Sequence, residues 1–218
     1  MYLVKRLFQD LVEIIDTFKK KGLKIGILHF CEIIHKIVYS KAEYFLMAHD
    51  LDLSHIDQEF EAASNLVIQQ VKSREEIDCL STLKGLSDFI PDPINWMKKV
   101  FDDGGAGFIA LHDNQPVGCD WISFKMTPEL MRVPVPLEPG DAYLHALFVA
   151  RDKRNLGCGR LLAIHRLRYL RKNGYKRGIL IVLKNNAPAL RVDKILGYEH
   201  IGEVIHTRFL LWDFYKYF

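Results

Sequence analysis

The sequence predicts a mixed α/β domain, a central sheet of about six to seven strands flanked by helices, with a helical hairpin at its N-terminus. Three observations predict it. From residue 66 onward, short apolar runs of strand-forming residues alternate with stretches whose apolar residues recur at helical spacing. Residues 141–174 read as strand, glycine loop and helix. Before residue 41, two successive amphipathic helical patterns stand one after the other.

The first pattern, residues 3–21, places Leu3, Leu7, Phe8, Leu11, Val12, Ile15 and Phe18 on one face, and Lys19-Lys20-Lys21-Gly22 closes it as cations and a C-terminal glycine should. The second, residues 24–40, repeats the device with Ile27, Leu28, Cys31, Ile34, Ile37 and Val38. Through Lys41 the segment carries eight Lys and Arg against four Asp and Glu, a surplus of +4. It is read as a hairpin that packs on the main domain or on a second subunit, the alternative being a basic element on an anionic membrane surface. Residues 44–48 are expected as a short strand and 49–63 as a connector. The domain boundary falls near Glu61, separating residues 1–60 from 61–218.

Residues 66–71 read as the first strand of the main domain. Ser73 with Glu76 forms a capping-box signal that opens a helix through residue 83. Pro91-Asp92-Pro93 starts a short helix over 94–101. Residues 107–112 and 117–124 are two apolar runs around a polar turn, a hairpin signature. Asp120 sits inside the second run, where a charge is costly unless paired or solvated. It is read either as an outward strand residue or as an anion for a substrate ammonium. Residues 126–139 are a proline-rich loop, 141–149 a strand, and 178–184 a further strand. A helix follows from Asn186, and 198–217 is a long aromatic strand-forming stretch in which Gly202 is expected to allow a turn or bulge.

Composition sets the outer bounds. At 218 residues and 49% hydrophobic content the chain can bury one ample core. A net charge of +3 lacks the concentrated basic stripe of a nucleic-acid-binding domain, so no nucleic-acid partner is expected. The four cysteines are scattered, which reads as reduced thiols. Neither Cys-x-x-Cys nor His-Glu-x-x-His occurs, so no metal is expected. The first residues mix charges with apolar side chains and predict no signal peptide. The best spanning candidate, residues 25–39, is interrupted by Glu32, His35 and Lys36. The expected location is cytoplasmic, with membrane contact by the hairpin as the alternative.

The chemistry concentrates at the glycine loop. A helix N-terminus preceded by glycines offers unpaired N–H groups and the positive end of the helix dipole, and Lys153, Arg154 and Arg160 add charge. An anionic ligand is the direct reading. Arg160-Leu161 after Gly159 rules out a Walker loop, and Leu162 rules out the dinucleotide fingerprint.

What the residues match is Arg154-x-x-Gly157-x-Gly159 at a strand-to-helix junction, followed by Asn186-x-x-Ala189 and Leu196-Gly197-Tyr198. This resembles the GCN5-related N-acetyltransferase (GNAT) superfamily over residues 66–218, with its diagnostic part at 143–198. The resemblance implies acetyl-CoA as co-substrate; a small amine or amino sugar is the expected acceptor, because the aromatic and proline-rich loops suit a small pocket. The pyrophosphate of acetyl-CoA would lie on Arg154, Asn155, Leu156, Gly157, Cys158, Gly159 and Arg160, with Asn186 also on the donor side and the backbone of Phe148 and Val149 pairing with pantetheine. His145 stands where many members carry Glu and is the expected base, since a histidine pKa near 6.5 suits proton acceptance at neutral pH. Asp193 stands where the family often has a Tyr acid, and Tyr198, Tyr143 or water are the substitutes. Asp120 and Asp141 are the candidates for holding the acceptor. Cys158, at a helix N-terminus, also raises a covalent acyl-enzyme. Two alternatives remain open: transfer from a long-chain acyl-CoA or acyl carrier at a membrane surface, and a CoA-binding scaffold without catalysis. The basic residues Arg166, Arg168, Arg171, Lys172, Lys176 and Arg177 are read as a solvated face.

Overall fold

The computed structural model describes residues 39–53, 65–90, 92–125, 133–209 and 212–218. Its strands are β1 (Tyr39–His49), β2 (Leu66–Gln70), β3 (Ala106–His112), β4 (Gln115–Ser123), β5 (Asp141–Val149), β6 (Arg177–Leu183), β7 (Glu199–Phe209) and β8 (Trp212–Tyr217). They form one sheet in the order β2-β3-β4-β5-β6-β1-β7-β8. The α-helices are α1 (Leu86–Phe89), α2 (Pro93–Asp102), α3 (Cys158–Lys172) and α4 (Ala187–Ile195), joined by 3₁₀ segments at Glu75–Thr82 and Arg151–Lys153. The expected mixed sheet with flanking helices is present, with eight strands among the described residues.

The chain divides into two compact units, Tyr44–Glu203 and a second made of Met1–Glu43 with Val204–Phe218. In the second unit the β7 and β8 ends pair from Val204↔Tyr217 to Phe209↔Trp212. There Asp213 accepts from His206 Nε2 at 2.6 Å and from Arg208 Nε at 2.8 Å. The 198–217 stretch is thus two antiparallel strands, and the turn expected at Gly202 is absent, since Gly202 lies within β7.

Tyr44–Glu203 holds the candidate site. In it β2 pairs with β3, β3 with β4, β4 with β5 and β1 with β6 antiparallel, while β5 lies parallel to β6. β1 continues the sheet antiparallel to β6, with Tyr44↔Leu183 through His49↔Gly178. The apolar run Tyr44-Phe45-Leu46-Met47-Ala48 therefore belongs to the sheet, upstream of the boundary expected near Glu61, which lies outside the described residues. The hairpin expected over residues 3–40 also falls outside them except for Tyr39 and Ser40, which are strand and not the end of a helix.

Both faces of the sheet are covered, so its central strands read as continuous apolar runs. On one face α3 buries Leu162, Ala163, Ile164, Leu167 and Leu170 against Phe108, Ile122, Leu144 and Leu180. On the other, Ile77, Leu80, Leu86, Met97 and Val100 pack on Ile109, Cys119, Trp121 and Phe148. Successive strand residues alternate between the two layers, Phe108 against Ile109 and Ile122 against Trp121, as the period of two requires. Each fully buried aliphatic side chain contributes about 1.5–3 kcal/mol.

Local signals at the β3–β4 turn and the α3 terminus are honoured, and the capping box is not. Asp113 and Asn114 both take positive φ (51° and 60°) in the two-residue turn between β3 and β4, the geometry of a type I′ hairpin. α3 ends at Asn173 and Gly174, the latter at φ 75°. Residues 75–82 form a 3₁₀ helix, and Glu76 accepts from the Lys72 amide at 3.0 Å instead of closing on Ser73.

Candidate functional site

The site begins where two parallel strands part. β5 and β6 pair only at Asp141↔Arg177, Ala142↔Gly178 and Tyr143↔Ile179, although β5 runs on to Val149 and β6 to Leu183. On its other edge β5 pairs with β4 through Ser123↔Tyr143, Ile122↔Leu144 and Trp121↔His145, then resumes at Cys119↔Phe148 and Gly118↔Val149. Ala146 and Leu147 together oppose Asp120, a β-bulge, and Ala146 takes φ 57°. A left-handed alanine costs roughly 1–2 kcal/mol. The bulge turns β5 away from β6 and leaves backbone N–H and C=O groups without strand partners along the opening, a surface that an extended amide-bearing chain can pair with.

The glycine loop stands at the open end of this gap. Asn155 (φ 69°) and Gly157 (φ 76°) are left-handed, and no side chain caps α3, so its first amide groups have no intrahelical acceptor. Gly157 is needed for its own backbone. Gly159 is not: its φ is ordinary, and a Cβ built on it would meet Leu147 and Val149 at 3.6 Å, an ordinary contact. The fold itself does not require glycine there. Arg154 is exposed and its Nε–H donates to the Val149 carbonyl at 3.4 Å. Cys158 is buried and burial pushes its thiol up to about 11, so the expected low-pKa thiolate of a covalent route is corrected to an inert core thiol whose backbone alone faces the loop.

His145 lies just before the bulge. Its Nε2 is 2.8 Å from Ser123 Oγ; Trp96 of α2 meets its ring edge-on at 4.9 Å and Tyr143 lies at 5.1 Å. Desolvation, with repulsion from Arg166 behind the sheet, pulls its pKa down to about 3. The ordinary value near 6.5 assumed from sequence is thereby corrected. The imidazole is neutral at physiological pH and is a weak base.

Beneath the opposite face lies a buried polar cluster. Asp120 is fully buried; its carboxylate accepts from Arg166 Nη1 at 3.1 Å and from the Trp121 amide at 3.0 Å. Arg166 Nη2 donates to the Tyr198 hydroxyl at 3.1 Å, and its Nε has no partner among the described residues. Arg166 is only 3% exposed, so its expected place on a solvated face is corrected. Position 166 in fact continues the apolar stripe of Leu162, Ala163, Leu167 and Leu170, and a buried Asp120 demands a cation; those two signals together point to the pair. Asp120 is accordingly neither an outward strand residue nor an open anion: its carboxylate is taken up by Arg166. Burial pushes the Asp193 carboxyl up to about 6, against the pull of Arg166. Tyr198 is also buried, its hydroxyl held well above the ordinary tyrosine value by burial.

Asp141 is likewise engaged. Its two oxygens receive Arg177 Nε at 2.9 Å and Nη2 at 2.8 Å, and Oδ2 also accepts from the Glu138 amide at 3.0 Å. It closes the base of β5 and lines a hollow of about 540 Å³ with Phe124, Val135, Leu137 and Tyr175, at the opposite end of β5 from the bulge. Asn186 caps α4, its Oδ1 accepting from the Ala189 amide at 3.4 Å. Phe148 is buried against Phe89 at 5.8 Å, and Val149 packs at the edge of the α3 layer. Among the described residues no group of three or more His, Cys, Asp or Glu could hold a metal ion, and no helix is long and apolar enough to cross a membrane.

The structure thus gathers His145, Phe148, Val149 and the 154–160 loop along one opening, and separates from it Asp141 at the base of β5 and the Asp120 cluster behind the sheet. Trp96 and Ser123, which sequence reasoning passed over, join His145. Fold and loop define an α/β protein with a phosphate-ready helix N-terminus beside a parted strand pair. The chain belongs to the acetyltransferase (GNAT) family, whose profile matches residues 74–198. A mycothiol acetyltransferase of Acidothermus cellulolyticus is 33% identical over 111 residues, 49% of this chain and 33% of that protein. Among solved structures, a tandem GNAT protein from the clavulanic acid biosynthesis pathway matches 87% of this chain and 60% of its own, with TM-score 0.57 and 16% identity. A GCN5-related N-acetyltransferase-like protein of Streptococcus suis matches 83% and 66%, with TM-score 0.55 and 14% identity. At those identities the structures speak for the fold. The chain spans a third of the curated relative and about three fifths of the tandem protein.

Proposed function

We propose that this chain moves an acetyl group from acetyl-CoA to the nitrogen of a small amine by direct attack, without an acyl-enzyme. The observation that carries the reading is the parting of β5 from β6 after Tyr143↔Ile179, next to an uncapped, glycine-led helix N-terminus. In this reading the amide groups from Asn155 to Arg160 hold the pyrophosphate, with the Arg154 and Arg160 side chains adding positive charge. Asn186, at the start of α4, is a further donor-side group in this reading. The backbone of Phe148 and Val149 pairs with the pantetheine arm, and the amide groups around the bulge face the developing oxyanion. His145, joined to Ser123, is the polar pair nearest the acceptor. A neutral imidazole of low basicity relays a proton from the adduct more readily than it deprotonates a free ammonium. The thiolate needs little help in leaving, because its conjugate thiol has an ordinary pKa near 8.5.

Calorimetric titration with CoA, acetyl-CoA and a medium-chain acyl-CoA tests the reading. Micromolar binding, roughly −8 kcal/mol, supports it, and affinity that climbs with chain length would redirect it toward a long-chain donor. Gly159→Asp sets a carboxylate where the pyrophosphate would lie. The space around Gly159 accepts a Cβ without a clash, so the variant should fold and lose CoA binding. Normal binding by that variant would remove the loop from the site.

A further inference from the structure

We propose that the acceptor is an amine already neutral at physiological pH, an arylamine, hydrazide or similarly weak base on a flat apolar body, and not an alkyl ammonium or a polyamine. The inference rests on the acetyl-transfer reading and concerns the acceptor side of the same opening.

Four observations carry it. The wall beside the bulge is Trp96, half-buried and edge-on to the half-buried His145 at 4.9 Å, backed by the buried Tyr143 at 5.1 Å and by the buried Ser123, which is hydrogen-bonded to the ring at 2.8 Å. Such a wall suits a flat apolar body with one polar end. Aromatic walls alone would also suit a cation, so the charges decide. Both carboxylates that the sequence offered for an ammonium are engaged: Asp120 faces the other side of the sheet, on Arg166, and Asp141 holds Arg177 at the base of β5. The imidazole of His145 reports on the surroundings an ammonium would meet, and desolvation with repulsion from Arg166 keeps it uncharged. The Arg166 repulsion acts likewise on any cation brought beside it.

The chemistry agrees. An alkylamine must lose a proton before its lone pair can attack, which requires a base matched to neutral pH, and the imidazole here is too weak for that task. A weakly basic amine needs no such step. Its nitrogen attacks the thioester carbonyl carbon, the carbon–sulfur bond breaks, and the proton shed by the now acidic nitrogen passes by His145 or solvent to the departing sulfur. The products are the N-acetylated amine and free CoA thiol.

The test uses the full chain with acetyl-CoA at pH 7 and follows CoA thiol release with 4-methylaniline, benzohydrazide, benzylamine and spermidine. The expected result is at least tenfold higher kcat/KM for the first two than for the last two. Trp96→Ala should raise KM for 4-methylaniline at least tenfold while CoA affinity by calorimetry stays unchanged, which also shows that the variant is folded. Benzylamine or spermidine matching or exceeding 4-methylaniline overturns the inference, as does intact CoA binding with no turnover of either weak base. Acetyl-CoA that fails to bind at all would instead overturn the acetyl-transfer reading itself.

Discussion

Asp120→Ala would leave the Arg166 guanidinium buried at 3% exposure with only the Tyr198 hydroxyl as a described acceptor. Both partners lie in the core, so Coulomb attraction between them is little screened, and removing one strands the other charge in a poor solvent. Breaking such a pair costs about 3–5 kcal/mol. With a urea slope of about 2 kcal/mol/M, the unfolding midpoint followed by circular dichroism should fall by about 1.5–2.5 M. The double replacement Asp120→Leu with Arg166→Met removes both charges and should recover most of that loss, because two apolar groups of similar volume need no partner. Asp120 lies directly opposite Ala146 and Leu147, so the single variant should also lower kcat more than it raises KM for acetyl-CoA. A loss below about 1 kcal/mol for Asp120→Ala, or a double variant less stable than the single, would refute the account of this pair.

Three other outcomes follow from the same structure. The folded-state pKa of Asp193 is raised from 3.8 to about 6, so its contribution to stability is full below the unfolded value and is lost as pH rises. Asp193→Asn should therefore gain on the wild type by roughly 1 kcal/mol between pH 5 and pH 7, read by urea unfolding at both; an unchanged difference would place Asp193 in water. For His145, lowered to about 3, the ring resonances should show no titration between pH 7.5 and 5.5, and a midpoint near the ordinary 6.5 would mean that the ring is solvated. Sign and direction agree for stability as well: the neutral ring favours the fold above 6.5, and that support fades as pH falls toward 3. Gly157→Ala forces a Cβ into a φ of 76° and should destabilise by about 1 kcal/mol or more, whereas Gly159→Ala, at ordinary φ, should leave thermal stability unchanged and weaken CoA binding.

Local chemistry wrote much of this protein into its sequence. The strand at 141–149, the glycine loop, the helix ending at Gly174 and the hairpin at Asp113-Asn114 are set by side-chain period, by capping, and by residues that tolerate positive φ, all within a few positions of one another. The phosphate-ready helix terminus was legible for the same reason. Other features depend on residues that meet only in the folded chain. The bulge at Ala146 has no glycine or other turn residue to announce it; it shows only in the register of β5 against β4, where two residues oppose Asp120. Arg166 looked like one more surface cation until α3 laid it over Asp120, 46 residues earlier. His145 was given an ordinary pKa because burial and a guanidinium behind the sheet are invisible in a string of letters. Sequence by itself determined the elements and the loop that could take an anion, because those depend on backbone conformation over short spans. Only the tertiary structure decided which charges are buried, which carboxylates are already engaged and where two parallel strands part, because each depends on contacts between distant segments.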